Sequence, residues 1–85
     1  MKLILCPECQ DVVRLTNVRR SCACGKCWGK YVDELNATIS KDAIPLGFAN
    51  RSFTLALMNR PKDGWGYRFD AFVIPEECDT IKIEE

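Results

Sequence analysis

The chain has 85 residues, 47% hydrophobic and 28% charged, and its twelve basic and twelve acidic side chains balance to zero net charge. A domain this small buries only a marginally sufficient core, so a staple is expected, and a neutral total argues against a general polyanion binder. It has no histidine, which removes the commonest general base and the usual ligand of a catalytic zinc.

In chain order, Lys2–Leu5 reads as a strand leading into a tight turn, Cys6-Pro7-Glu8-Cys9. The apolar, β-branched run Val12-Val13-Arg14-Leu15 suits the outgoing arm of that hairpin. Residues 18–21 return the chain to a second thiol group, Cys22-Ala23-Cys24-Gly25-Lys26-Cys27. Residues 28–32 follow as a third strand, in which Gly29 permits a bend or a close approach. Beyond residue 35, residues 37–40 and 43–48 read as two more strands, with Pro45 placing the second at a sheet edge. Asn50 or Ser52 can cap a short helix that carries Phe53, Ala56 and Leu57 on one face and stops at Pro61. Residues 62–66 form a turn-rich loop, residues 67–74 alternate as a strand ended by Pro75, and residues 80–83 make a final strand. The expected fold is α+β. A module over residues 1–35, with three short antiparallel strands and two cysteine turns, packs as one unit with a β-rich extension over residues 36–85 that carries one short helix.

Five of the six cysteines lie within the first 27 residues. Two thiol groups a little over a dozen residues apart are how a chain encloses one metal ion, because zinc takes four thiolates at about 2.3 Å and each tight turn presents two. The competing pattern is a secreted disulfide framework. The run before Cys6 is too short for a secretory signal, so the expected compartment is a reducing cytoplasm, where clustered thiols bind metal rather than cross-link. A structural zinc site contributes on the order of 10–16 kcal/mol, more than the stability of a typical domain.

Cys6 and Cys9 form one pair, and Cys24 belongs to either version of the second. Its companion is Cys22 or Cys27. Cys24-Gly25-Lys26-Cys27 has the usual two-residue spacing, whereas Cys22-Ala23-Cys24-Gly25 places a glycine just after the second ligand, where a metal turn often needs positive φ. Zinc is the expected ion, and iron is the lesser alternative for four sulfurs. Cys78 stands alone and reads as a small buried apolar residue whose thiol is raised by its acidic neighbours.

Through Cys6-Pro7-Glu8-Cys9 and the Cys24-Gly25 turn, residues 3–32 resemble the zinc-ribbon fold group. The whole chain is similar to small uncharacterised bacterial and phage proteins that follow such a ribbon with a short αβ extension. The resemblance implies a structural metal and a surface that contacts nucleic acid, the transcription or replication machinery, or another protein; a bacterial or phage regulator or inhibitor fits it.

Catalysis is not expected, because a site closed by four sulfurs leaves no position for water; thiol redox chemistry through Cys6 and Cys9 is a remote alternative. Nucleic-acid binding would use the five bases between residues 12 and 32, Arg14, Arg19, Arg20, Lys26 and Lys30, which no acid interrupts, with Trp28 and Tyr31 for stacking. The six acids after residue 69 oppose it. Protein binding would use Trp65 and Tyr67, where Gly64 and Gly66 hold an indole at a loop tip, and an edge strand offers a route to self-association. The preferred expectation is a non-enzymatic zinc-binding module for a protein partner, with nucleic acid as the alternative and no membrane involvement.

Overall fold

The computed structural model describes residues 1–84. In chain order they form β1 (Lys2–Leu5), β2 (Val12–Arg14), β3 (Arg20–Ser21), β4 (Trp28–Tyr31), β5 (Ala37–Ser40), β6 (Ile44–Phe48), α1 (Asn50–Met58), β7 (Ala71–Val73) and β8 (Ile81–Glu84). The strands make two four-stranded sheets, ordered β2-β1-β6-β7 and β3-β4-β5-β8. All neighbours are antiparallel except β5 and β8, which run parallel. The protein is thus α+β in content and mostly strand. No helix among the described residues is long and apolar enough to cross a membrane.

Residues 1–32 hold four strands divided between two sheets, rather than three in sequence. The cause lies at residues 16–19, where the Thr16 hydroxyl accepts from the Val18 backbone N–H and donates to the Val18 carbonyl. That local turn takes up the chain and leaves β3 only two residues long. Strands from beyond residue 35 complete both sheets, since β6 pairs with β1 and β5 pairs with β4.

Three further expectations are corrected. Pro45 lies on β6, an inner strand, with Ile4 opposite it on β1. A proline is tolerated there because the paired register with β7 ends at Leu46 and Val73. One residue further, Pro45 needs only to accept, and its carbonyl takes the Ile74 N–H at 2.9 Å. The helix start is also displaced: neither Asn50 nor Ser52 caps α1, whose N-cap is Ala49 without a side-chain bond. The Asn50 side chain instead accepts from the Met1 amino group at 2.7 Å, and Ser52 Oγ accepts from the Asp70 N–H at 2.7 Å. Both polar groups fasten the helix to the sheet rather than to its own end. Residues 67–70 are not strand. Asp70 is held by Ser52, and Phe69 packs edge-on against Phe48 and Phe53 at 4.9 and 4.8 Å.

The core lies between the sheets and runs into the thiols. Ile4, Val13, Leu15, Ala37, Ile39 and Ala43 pack with Cys6, Cys22 and Cys27. Gly29 serves close approach: a Cβ there would stand 2.8 Å from Leu15 Cδ2 and 3.2 Å from Ile39 Cγ2. Ile39 is fully buried, so Ile39→Ala should cost about 2–5 kcal/mol in denaturant unfolding of the metal-loaded protein, whereas Leu57→Ala on the exposed side of α1 should stay within about 1 kcal/mol.

Candidate metal centre

Each thiol group caps a hairpin. Cys6 follows β1 directly, and its turn closes by the Gln10 N–H donating to the Cys6 carbonyl at 2.7 Å and the Cys6 N–H donating to the Asp11 carbonyl at 3.0 Å. Gln10 takes positive φ, 59°, to complete that reversal. The second turn closes by the Cys22 N–H donating to the Cys27 carbonyl at 2.9 Å and the Gly25 N–H donating to the Cys22 carbonyl at 3.1 Å. Gly25 sits at φ 81°, a conformation that glycine adopts without the steric penalty of a Cβ.

These turns bring Cys6, Cys9, Cys22 and Cys24 together, with all four sulfurs within 4.8 Å of one another. Cys24 Sγ lies 3.5 Å from Cys22 Sγ and 3.7 Å from Cys6 Sγ. A tetrahedron with metal–sulfur bonds of about 2.3 Å has edges of about 3.8 Å, so the spacing suits a four-thiolate ion. It is far from the ~2.05 Å of a disulfide, and all six cysteines are free thiols. The donor set therefore fits zinc.

Cys27 is brought beside this group but not into it. Its side chain is buried and its backbone N–H donates to Cys22 Sγ at 3.4 Å. Charge on the thiols follows from these contacts. The Cys27 N–H, aided by the neighbouring thiols, holds Cys22 down to about 6 against the opposition of burial. The Cys9 backbone N–H likewise lowers Cys6. The Lys26 N–H pulls on Cys24, but Cys22, Cys6 and Cys9 outweigh it and drive that thiol up to about 12. Burial, then the adjacent Cys6, pushes Cys27 up to about 11. Without a cation the cluster resists accumulating negative charge, and a divalent ion would supply the missing balance.

Asp11 has a part that sequence reading missed. Its Oδ2 accepts the Ala23 N–H at 2.9 Å, joining the first turn to the second. Its position just after the first thiol turn was the available signal, since an aspartate there readily bonds a nearby backbone N–H. Cys78 is far from this centre in sequence and only half-buried; the Thr80 hydroxyl, then the Thr80 N–H, lowers its thiol, opposite to the rise its acidic neighbours suggested.

The other candidate residues divide into two groups. Arg14, Arg19, Arg20, Lys26 and Lys30 are exposed, but several are already engaged. Arg19 stacks over Trp28 at 4.2 Å, Arg20 Nη1 donates to the Arg14 carbonyl at 3.1 Å, and Lys26 pairs with Glu8 at 3.6 Å. Tyr31 is partly buried against the core, its hydroxyl accepting the Lys2 N–H at 2.8 Å. Trp65, by contrast, is 96% exposed, and Tyr67 is also exposed. Tyr67 lines an open groove of about 380 Å³ between α1 and the following loop, together with Phe53, Leu57, Arg60 and Phe69.

A scan against protein-family models finds no match, and searches of curated proteins and of solved structures also find none.

Proposed function

We propose that this chain is a non-enzymatic, zinc-stabilised module of zinc-ribbon type that binds a protein partner in a reducing cytoplasm, in the manner of a small bacterial or phage regulator. Cys6, Cys9, Cys22 and Cys24 hold the ion, and Cys27 acts as a buried donor to the Cys22 sulfur rather than as a ligand. The metal is structural, since four sulfurs close its coordination and the chain has no histidine to act beside it. Trp65 carries the functional reading: an indole left almost wholly in solvent beside an apolar groove is an interface anchor with no intramolecular role. The engagement of Trp28 by Arg19 and of Tyr31 by Lys2 supports a structural part for those rings. Nucleic acid is accordingly the second reading, favoured only by the exposed Arg14, Arg19 and Arg20 on the ribbon.

The metal assignment makes two predictions. Zinc should copurify at one ion per chain. Serine at Cys6, Cys9, Cys22 or Cys24 should abolish loading and melt the hairpins, while Cys27→Ser should keep full stoichiometry by elemental analysis. Zinc loss from the Cys27 variant, with retention in the Cys22 variant, would reverse the ligand choice. Because the ligands must be deprotonated, acid competes with the ion: apparent zinc affinity in chelator competition should fall steadily from about pH 8 to about pH 5.

The partner assignment is tested by capture from the native host after nuclease treatment and a high-salt wash. A discrete protein should be retained by the wild type and lost with Trp65→Ala, whose unfolding curve should match the wild type. Recovery of nucleic acid that washes away with salt would favour the basic face instead.

A further inference from the structure

The groove between α1 and the loop after it has an apolar floor made by Phe53, Ala56, Leu57 and Phe69. Phe53 and Phe69 pack edge-on at 4.8 Å, and each also packs against Phe48. The floor is therefore formed before anything binds, which spares a ligand the cost of ordering it. Leu57 lines the groove yet remains 59% exposed, so the described residues leave this surface uncovered. Gly64 and Gly66 line it too, which sets the indole of Trp65 at its rim.

Charge is distributed unevenly about this groove. Residues 50–69 carry four bases, Arg51, Arg60, Lys62 and Arg68, against one acid, Asp63. The remaining eight of the chain's twelve bases are set against eleven of its twelve acids. The segment that builds the groove is thus a basic island on a chain that is elsewhere acidic. All four bases are exposed, and none has an ion-pair partner among the described residues. Arg60 and Lys62 line the groove itself, with Asp63 beside them. Such uncompensated cations at the edge of an apolar surface attract and orient a ligand of opposite sign.

We propose that the occupant of this groove is an acidic peptide segment of the partner. A large apolar side chain of that segment sits over Phe53, Leu57 and Phe69, and the carboxylates flanking it meet Arg60 and Lys62. Trp65 closes over the segment from the rim. The inference rests on the protein-partner reading given above and names the chemistry of that partner's contact. An apolar anchor supplies most of the affinity in such a groove, and the charges supply register and selectivity. A lipid surface or a single nucleic-acid strand would engage the protruding Trp65 and the bases but leave the concave apolar floor unfilled. Asp63 is the one group in the groove that opposes the proposed ligand, and it gives the charge argument a test of sign.

The test pans a library of random short peptides on the zinc-loaded, reduced protein and titrates the recovered peptides by fluorescence anisotropy. Recovered peptides should be rich in Asp and Glu around a Leu, Phe or Trp, and added salt should weaken them. Joint Arg60→Glu and Lys62→Glu replacement should weaken binding about tenfold or more, whereas Asp63→Asn should tighten it about twofold. Leu57→Ala, on the same groove, should also weaken it. All these positions are exposed, so each variant should keep its zinc and its circular dichroism spectrum. Peptides with no acidic excess, an unchanged affinity in the double reversal, or a loss caused by Arg14→Glu in its place would each overturn the proposal. So would recovery of no peptide, whether or not phosphatidylglycerol vesicles or single-stranded oligothymidylate bind. Groove-bound peptides without acidic excess would leave the partner reading standing, since that reading is decided by the host capture with Trp65→Ala.

Discussion

The core of this chain is thin enough that sulfur occupies half of its deepest part: of the largest side chains fully withdrawn from solvent, Ile4, Ile39, Cys6 and Cys27, two are cysteines. Apolar packing between the sheets therefore continues directly into the thiol cluster instead of stopping short of it. This has an electrostatic consequence. Thiolates at the margin of a hydrophobic core repel one another and are poorly solvated, so the arrangement holds comfortably only when a cation neutralises them. The thiol cluster and the core are continuous, and the Asp11 bond to Ala23 adds a polar tie between the two thiol turns.

The surface divides its aromatic side chains by use. On the strand that follows the second thiol turn, Trp28 and Tyr31 have partners that fix them, a guanidinium for one and a backbone N–H for the other. In the second half, Phe48, Phe53 and Phe69 form a compact triad with centroids 4.8 to 5.2 Å apart. Trp65, Phe72 and much of Tyr67 are left outside both clusters. A domain with only eight aromatic residues leaves three of them largely in water on one half of the molecule. That asymmetry, rather than the count of bases, is what the proposed protein-binding reading rests on.

Much of this was legible from spacing. The thiol pairs, the positive φ at Gly25, the close approach at Gly29 and the helix ending before Pro61 each follow from a local rule, and local rules survive folding. What escaped was decided at long range. Pro45 signalled an edge because a proline cannot donate, yet the strand is central and the missing donor falls where its neighbour's pairing ends. Asn50 and Ser52 looked like caps, but bonds to Met1 and Asp70, distant in sequence, claimed their side chains. Spacing also left open whether Cys22 or Cys27 accompanies Cys24, and the fold groups the Cys22 sulfur with those of Cys6, Cys9 and Cys24. The apolar β7 edge was read as part of a longer strand, because alternation cannot reveal which neighbour a strand lacks.

The two halves of the molecule are connected through one strand. β6 pairs with β1 on one side and β7 on the other, and α1 follows it after a single residue. β1 leads directly to Cys6 of the thiol cluster, so a strand that would help hold an ion is hydrogen-bonded to the strand that supports the groove, the aromatic triad and the β7 edge. Any free energy that an ion bound there contributed to fixing β1 would be shared with β6 and what rests on it, because a sheet of four short strands gains little from each pairing alone. Strands from both segments of the chain complete both sheets, β6 beside β1 and β5 beside β4. The aromatic triad, the groove and the thiol cluster are thus reached from the two neighbouring strands of one sheet.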